Sequence, residues 1–390
     1  MEFTDFLSPV DISKFNDGES YPGNALGSLI KNYTPENNFP DLKKVNIALI
    51  GVQEERRSFN NKGCADAPDP VREYLYKLYR GNYEVRIADL GNIKRGHTVD
   101  DTYFALRSVV HELLKKQIVP VIIGGSQDLT YPTYLAYEDI EETINLVSVD
   151  ASFDMGLVDS DFTSATWLGK IILHQPNHLF NHSNIGYQTY FVDPGHIDLM
   201  SKLFFDTHRV GQARANMENV EPIIRNADTL SFDISSIRQC DAPGSGNASP
   251  NGFYGEEACR IARYAGMSDK LSSVGFYEYN PSLDRKKQTA HLVAQMIWCF
   301  VDGYYNRKKD FPFKKTTEYI KYRVFMKDLK NEIVFYKSKK SDRWWMEVPY
   351  PAKKNKFKRH LLVPCSYNSY QTALKEEVPD QWWQTYQKLD

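Results

Sequence analysis

Cysteine is scarce in this sequence, and the few cysteines are scattered. The chain has 390 residues and five cysteines, at positions 64, 240, 259, 299 and 365, with no Cys-x-x-Cys pair. This odd number and wide spacing argue against a zinc ribbon and against a disulfide framework. We therefore expect a protein of the reducing cytoplasm.

Long hydrophobic runs and a strong net charge are also missing. The first fifteen residues, MEFTDFLSPVDISKF, are acidic and contain no continuous apolar stretch, so neither a secretory signal nor a membrane span is predicted. The formal net charge is −2, with 42% hydrophobic and 25% charged residues. This balance is typical of a globular protein with a large core.

The charge that is present is unevenly distributed. Residues 305–360 contain 18 Lys and Arg against 6 Asp and Glu, whereas the rest of the chain is net acidic. This asymmetry predicts a boundary near residue 305. We expect an irregular N-terminal segment over 1–44, a large domain over 45–304, and a basic, aromatic-rich C-terminal extension over 305–390 that packs on that domain.

Between residues 45 and 304, apolar strand patterns alternate with amphipathic helix patterns. Strands are predicted at 45–52, 85–90, 118–123, 145–150, 189–192, 229–233 and 272–276. This alternation predicts an α/β fold, with a mostly parallel sheet between two helical layers. After residue 305 the pattern changes to three short antiparallel strands (321–326, 332–337 and 343–348), followed by helices at 366–377 and 380–389.

Three polar motifs follow predicted strands of the large domain. The first contains Gly124-Gly125, the second runs from Asp150 to Asp154, and the third continues from Asp233 into a loop rich in Gly, Ser and Asn. In an open parallel sheet, side chains that follow the strands meet in a crevice at the carboxyl edge. We therefore expect the three motifs to converge in one cleft.

Together these motifs resemble the signatures of the ureohydrolase family, which includes arginase, agmatinase and formimidoylglutamase. The resemblance covers roughly residues 45–304 and implies a mostly parallel, arginase-like sheet. Active members of the family hold two manganese ions with six side chains from G-G-D-H-S, D-A-H-x-D and S-x-D-x-D motifs. The metal-bound hydroxide attacks a guanidinium or formimino carbon.

Only half of the six metal ligands that the resemblance implies are present. The matching residues are Asp150, Asp154 and Asp233, and the replaced positions are Gln127, Ser152 and Ser235. Imidazole helps to anchor transition metals, and both ligand histidines are replaced here. Since too few donors remain for two ions, a bimetallic hydroxide is not expected. We expect no cofactor, with manganese or weakly bound Mg²⁺ or Ca²⁺ as the alternative.

Two further residues are candidates for the site. Arg238 stands where the family has an aspartate, and its charge could replace a metal by pairing with Asp150 or Asp233; the alternative is a solvent-facing loop residue. Glu278 belongs to a Glu-x-Asn-Pro pattern. In the family this glutamate lies near the guanidinium of the substrate; the alternative is a packed strand end.

The main hypothesis is a ureohydrolase-fold pseudoenzyme. It would bind a protein partner through the C-terminal extension, or a small molecule in the remnant cleft. The alternative is a metal-dependent C–N hydrolase of linear amidines with an altered metal site. Nucleic-acid binding by residues 306–390 is a weaker hypothesis, based on their charge and aromatic residues. The resemblance also implies that a homo-oligomer could form.

Overall fold

The computed structural model describes residues 2–16, 20–156, 160–311, 316–327, 331–349 and 355–389. Within these residues, ten strands form a central sheet in the order β1-β4-β3-β5-β10-β9-β6-β7-β8, with β2 also paired to β4. The strands are β1 (Leu7–Ser8), β2 (Lys31–Asn32), β3 (Ile47–Val52), β4 (Ile87–Ile93), β5 (Val119–Ile123), β6 (Ile144–Val149), β7 (Leu179–Tyr187), β8 (Asp206–Arg209), β9 (Thr229–Asp233) and β10 (Ser273–Tyr277). All pairings in this sheet are parallel except that of β1 with β4.

Helices connect the strands and cover the sheet. They are α1 (Ser13–Asn16), α2 (Leu26–Leu29), α3 (Pro68–Leu75), α4 (Val99–Lys115), α5 (Thr130–Glu138), α6 (Trp167–Leu173), α7 (Pro194–Lys202), α8 (Val210–Ala215), α9 (Met217–Arg225), α10 (Gly255–Met267), α11 (Gln288–Tyr305), α12 (Tyr367–Leu374) and α13 (Asp380–Leu389).

The two faces of the sheet are both buried, as β3 shows. Its side chains alternate between two hydrophobic clusters: Ile47 and Leu49 pack with residues of α3, α9, α10 and α11, whereas Ala48 and Ile50 pack with residues of α4 and α5. Because successive side chains of a strand point to opposite faces, helices must lie on both sides. The predicted three-layer α/β/α architecture is confirmed.

The sequence prediction differs from the structure at both edges of the sheet. The N-terminal segment is not wholly irregular, since β1 and β2 pair with β4. The strand predicted at 189–192 is wrong, because Thr189–Phe191 forms a 3-10 turn. The strand there is β7, whose polar residues at 181–184 are buried and hydrogen-bonded. A buried strand with polar side chains gives no apolar pattern to detect.

The C-terminal region forms a second, antiparallel sheet in the order β11-β12-β13-β14. Its strands are β11 (Tyr319–Met326), β12 (Asn331–Ser338), β13 (Trp344–Glu347) and β14 (Leu362–Cys365). The predicted hairpin strands are present, but β14 was not predicted. Trp344 and Trp345 are buried, so their faces are not available to stack on bases. Tyr350, another aromatic residue of the extension, lies outside the described residues.

Several basic residues join the two sheets. Arg225 of α9 donates to the backbone carbonyls of Trp344 and Cys365, and its guanidinium lies 4.4 Å from the ring centre of Trp345. Arg359 donates to Asp228 at 2.6 Å. The basic composition of the extension is therefore partly used within the chain. None of the helices in the described ranges is long and apolar enough to span a bilayer.

Candidate metal centre

Four adjacent strands of the central sheet bring the candidate residues together. In the order β5-β10-β9-β6, Asp233 ends β9, Glu278 directly follows β10 and Asp150 directly follows β6. Gln127 follows β5 after a turn through Gly124 and Gly125, both with positive φ. A Cβ at Gly125 would lie 2.7 Å from the carbonyl oxygen of Glu54, so this turn requires glycine.

Three aspartates lie together at this carboxyl edge of the sheet. One carboxylate oxygen from each of Asp150, Asp154 and Asp233 lies within 4.8 Å of the others. Burial, together with the charges of Asp154 and Asp233, raises the pKa of Asp150 well above its usual value. Burial and the charge of Asp154 raise the pKa of Asp233 to about 7. Such a group of like charges favours a bound cation or a shared proton.

The residues at the replaced positions orient these aspartates. The Ser152 amide donates to Asp150 Oδ1 at 2.8 Å, and the Ser152 hydroxyl donates to Asp154 Oδ1 at 2.5 Å. The Ser235 amide donates to Asp233 Oδ1 at 2.6 Å. Asp150 Oδ2 is buried without a hydrogen-bond partner among the residues that the structure describes. A buried carboxylate oxygen in that position is a free ligand atom.

Gln127 contributes a second buried oxygen without a partner. Its backbone amide donates to Glu278 at 2.8 Å, and its Nε2 donates to the Ser231 hydroxyl at 3.2 Å. Its Oε1 has no hydrogen-bond partner within the described part of the chain. Unlike the histidine of the family pattern, this side chain offers a neutral oxygen, which suits hard cations.

The donor set therefore fits one cation. In the described residues, the group consists of three carboxylates and contains no imidazole. Three carboxylates with one amide oxygen resemble the all-oxygen sites of hard divalent ions. A second ion would depend on the hydroxyls of Ser152 and Ser235, which are neutral and poor ligands for transition metals. The carboxylates of this group are sufficient donors for one ion.

Glu278 lies beside this centre with both carboxylate oxygens engaged. Its backbone has a φ of 66°, a left-handed conformation that is uncommon outside glycine and is often found at functional sites. Oε1 accepts from the Gln127 amide, and Oε2 accepts from Asn61 Nδ2 at 2.7 Å. Burial and the charge of Asp233 raise the pKa of Glu278 to about 8.

Asn61 is a site residue that the sequence analysis missed. It is buried, and its Oδ1 accepts from the Gly246 amide at 2.7 Å and from Asn280 Nδ2 at 3.0 Å. It thus joins the loop after β3 to the loop after β9 and to Glu278. The only sequence feature that pointed to Asn61 was the length of the loop after β3, because long ordered loops in compact domains are often functional.

Arg238 is not close to the aspartates in the way that the sequence analysis suggested. Its Nε donates to Asp241 at 2.9 Å and its Nη2 donates to the same carboxylate at 3.0 Å. Its guanidinium also lies 3.8 Å from the ring centre of Tyr254. The prediction that Arg238 pairs with Asp150 or Asp233 is therefore wrong, because an acid three residues away takes its charge.

The fold and the site define an α/β protein with a carboxylate centre at the carboxyl edge of a parallel sheet. The sequence model of the Arginase family matches residues 45–302. The chain belongs to this family. The match ends before β11, so the small antiparallel sheet lies outside it.

Similar proteins agree with this assignment. The chain is 24% identical to a formimidoylglutamase of Staphylococcus aureus (strain MRSA252) over 305 residues, which are 75% of this chain and 95% of that protein. It is 24% identical to a formimidoylglutamase of Staphylococcus haemolyticus over 269 residues, 66% of this chain and 86% of that protein.

Solved structures show the same fold. A Trypanosoma cruzi formiminoglutamase with Mn²⁺ matches with a TM-score of 0.66 and 19% identity, over 74% of this chain and all of that one. A formimidoylglutamase from Bacillus subtilis matches with a TM-score of 0.65 and 20% identity, over 75% of this chain and 96% of that one.

Proposed function

We propose that the cleft binds one divalent cation between Asp150, Asp154 and Asp233, and that the protein does not perform two-metal hydrolysis. The observation that carries this proposal is the group of three buried or partly buried carboxylates within 4.8 Å of one another. Asp150 Oδ2 and Gln127 Oε1 support it, because both are buried oxygens without a hydrogen-bond partner among the described residues. Asp150 belongs to this group, and the Gln127 amide donates to Glu278.

The same observations favour a hard cation. Oxygen ligands suit Mg²⁺, Ca²⁺ and Mn²⁺, whereas softer transition metals prefer imidazole or thiolate. Mn²⁺ has additional support, because the similar Trypanosoma cruzi structure contains it. In this proposal, Gln127 supplies a neutral ligand through Oε1, and Ser152 and Ser235 orient the aspartates.

The ligand that this cleft would bind is a small molecule with an amidine or formimino group. Glu278 offers a buried carboxylate beside the aspartates, and it already accepts N–H donors from Gln127 and Asn61. Additional N–H donors of an amidine would complement it. Two-metal hydrolysis needs a hydroxide stabilised by both ions, and the donors for the second ion are absent from the described group.

Metal binding by the purified protein tests this proposal. After removal of metal and dialysis against Mn²⁺, we expect one ion per chain by elemental analysis. Asp233→Asn should abolish binding, whereas the matched control Asp241→Asn should bind as the wild type does, because Asp241 pairs with Arg238 outside the centre. Two tightly bound ions, or none, would contradict the proposal.

A second candidate function is hydrolysis of a linear amidine. It is favoured by the relatives, because the similar proteins from both Staphylococcus species are formimidoylglutamases. A single bound ion also lowers the pKa of water. The test is formamide release from formimidoylglutamate, and urea release from arginine and agmatine, with Mn²⁺ present. Turnover that Asp233→Ala abolishes would establish this candidate, and turnover by a protein that holds two Mn²⁺ ions per chain would reject the first.

Restoring the family ligands separates the two candidates further. The triple variant Gln127→His, Ser152→His and Ser235→Asp should bind a second Mn²⁺ before it gains turnover, since it regains the missing donors. Arg238 need not be changed, because Asp241 already pairs with its charge. If the triple variant still binds a single ion, the assignment of these positions is wrong.

A further inference from the structure

A cavity near the C-terminal junction lies at the opposite edge of the central sheet from the aspartates. It has a volume of about 680 Å³, within the range of small-molecule sites. Asn46, Arg86 and Asp269 line it from the residues just before β3, β4 and β10. These positions mark the amino ends of the strands, so the cavity is separate from the candidate metal centre.

A half-buried guanidinium forms one wall of this cavity. Arg307 donates through Nε to the carbonyl oxygen of Gly266 and through Nη2 to that of Leu271, each at 2.9 Å. Both of these acceptors are neutral backbone carbonyls. Burial lowers the pKa of Arg307 to about 10. A charge held in this way would be stabilised by an anion.

The acids around the cavity do not fully balance its three basic side chains. Arg86 pairs with Glu84 at 2.7 Å, and both side chains are exposed, so this pair is weak. Asp269 is the acid whose charge acts on Arg307, but its Oδ2 accepts from the Asp310 amide at 2.8 Å. Lys309 is a third cation on the wall. The lining therefore carries one positive charge in excess.

Aromatic rings form the rest of the wall. The Arg307 guanidinium lies 4.3 Å from the ring centre of Tyr304. Tyr305 is fixed by stacking on Tyr83 at 4.4 Å and by accepting from the Arg86 amide at 2.8 Å. Flat apolar surface beside fixed cationic donors is the composition of a site for an organic anion.

We propose that this cavity binds a small aromatic anion, a carboxylate or a phosphate monoester. Arg307 and Lys309 would contact the anionic group, and the rings of Tyr304 and Tyr305 would contact the body of the ligand. The two anionic groups share this chemistry because a guanidinium donates to both.

Calorimetric titration of the full chain tests the proposal with four probes. Benzoate and phenyl phosphate are the anions, benzyl alcohol is the neutral control and benzylamine is the cationic control. We expect the better anion to bind at least about tenfold more tightly than either control, because a charge-assisted hydrogen bond contributes about 1.4 kcal/mol or more. The ratio between benzoate and phenyl phosphate identifies the preferred group.

Substitutions in the wall give the second part of the test. Arg307→Met should weaken binding of the better anion by about tenfold or more. Arg307 also donates to two backbone carbonyls, so its substitution could destabilise the protein. The surface double variant Arg86→Gln with Lys309→Gln avoids this effect. It should weaken binding by about threefold or more. Arg323→Gln removes the same charge from an exposed pair on β11 and should bind as the wild type does.

Three results would overturn the proposal. They are absence of binding by both anions at millimolar concentration, equal binding by benzyl alcohol, and unchanged affinity in the surface double variant. Since the aspartates take no part, the same affinity is expected with and without Mn²⁺. Metal binding at the other edge of the sheet is therefore tested independently.

Discussion

Two buried polar clusters on the same sheet differ in how their charges are balanced. The first surrounds Arg72 of α3 and Asp89 of β4, and the second is the group of Asp150, Asp154 and Asp233. Both clusters are removed from water or nearly so. In the first, a base and an acid are paired, whereas the second brings together three acids. Burial alone therefore does not distinguish a structural cluster from a binding site.

In the first cluster every charged group has a complete set of partners. Arg72 donates to Asp89 at 2.8 and 3.0 Å, to Asn92 Oδ1 at 2.6 Å and to the Gly91 carbonyl oxygen at 2.9 Å. Asp89 also accepts from the Tyr76 hydroxyl at 2.7 Å. A cluster with such complete pairing needs no ligand, and it fixes α3 against the edge of the sheet.

Breaking the paired cluster should give the largest effect on stability. Arg72→Met leaves Asp89 buried without its counter-ion, which typically costs about 3–5 kcal/mol. We expect the free energy of unfolding, measured by urea denaturation, to fall by that amount. The control Arg323→Gln breaks an exposed ion pair and should cost less than about 1 kcal/mol. Equal losses in both variants would contradict the contrast between buried and exposed pairs.

The sequence predicted the central strands well because burial leaves a local pattern. The predicted strands at 118–123 and 229–233 correspond to β5 and β9, whose residues are all buried. β8 was missed because its sequence, DTHR, is only partly buried. A short polar strand can be recognised only from the neighbour with which it pairs, and that pairing is not local.

The acidic cluster should respond to substitution in the opposite direction from the paired one. In metal-free protein, Asp150→Asn removes one of three like charges, and its amide can donate to a neighbouring carboxylate. We expect the free energy of unfolding to rise by roughly 1–2 kcal/mol, while stabilisation by added Mn²⁺ is lost. Thermal and urea unfolding with and without chelator measure both effects.

The matched control for this variant is Asp241→Asn, because Asp241 is paired with Arg238 near the surface. It should not stabilise the metal-free protein, and it should keep the response to Mn²⁺. If Asp150→Asn destabilises the metal-free protein, repulsion among the three aspartates does not dominate the centre. The comparison with the paired cluster would then fail.

From the sequence, a residue of the candidate site could be predicted only where its position along a strand determines its location. The aspartates follow β6 and end β9, so parallel strands bring them together. The partner of Arg238 and the role of Asn61 could not be predicted, because the contacts of loop side chains depend on the three-dimensional path of the loops. The acid three residues after Arg238 was the one local signal for this pairing.

Besides the two charged clusters, the central sheet contains a buried polar residue that is neutral, His182 of β7. Its Nε2 lies 3.1 Å from the Ser148 hydroxyl. Burial lowers the pKa of His182 from 6.5 to about 3. The unfolded chain therefore binds a proton below about pH 6.5 that the folded protein does not bind. By linkage, this contribution to stability is present above pH 6.5 and is lost as the pH falls toward 3.

His182→Phe should therefore change the acid sensitivity of the protein. The variant loses the contact with Ser148, whose hydroxyl still accepts from Asn184 at 3.2 Å. Between about pH 7 and pH 5, we expect the difference in unfolding free energy between variant and wild type to shift in favour of the variant by about 2 kcal/mol. Urea denaturation at both pH values measures the shift.

His97→Gln, at an exposed histidine, is the control and should show no such shift. A variant as acid-sensitive as the wild type would mean that His182 takes up a proton equally well in the folded and unfolded chain, which would contradict the description of His182 as a buried neutral group.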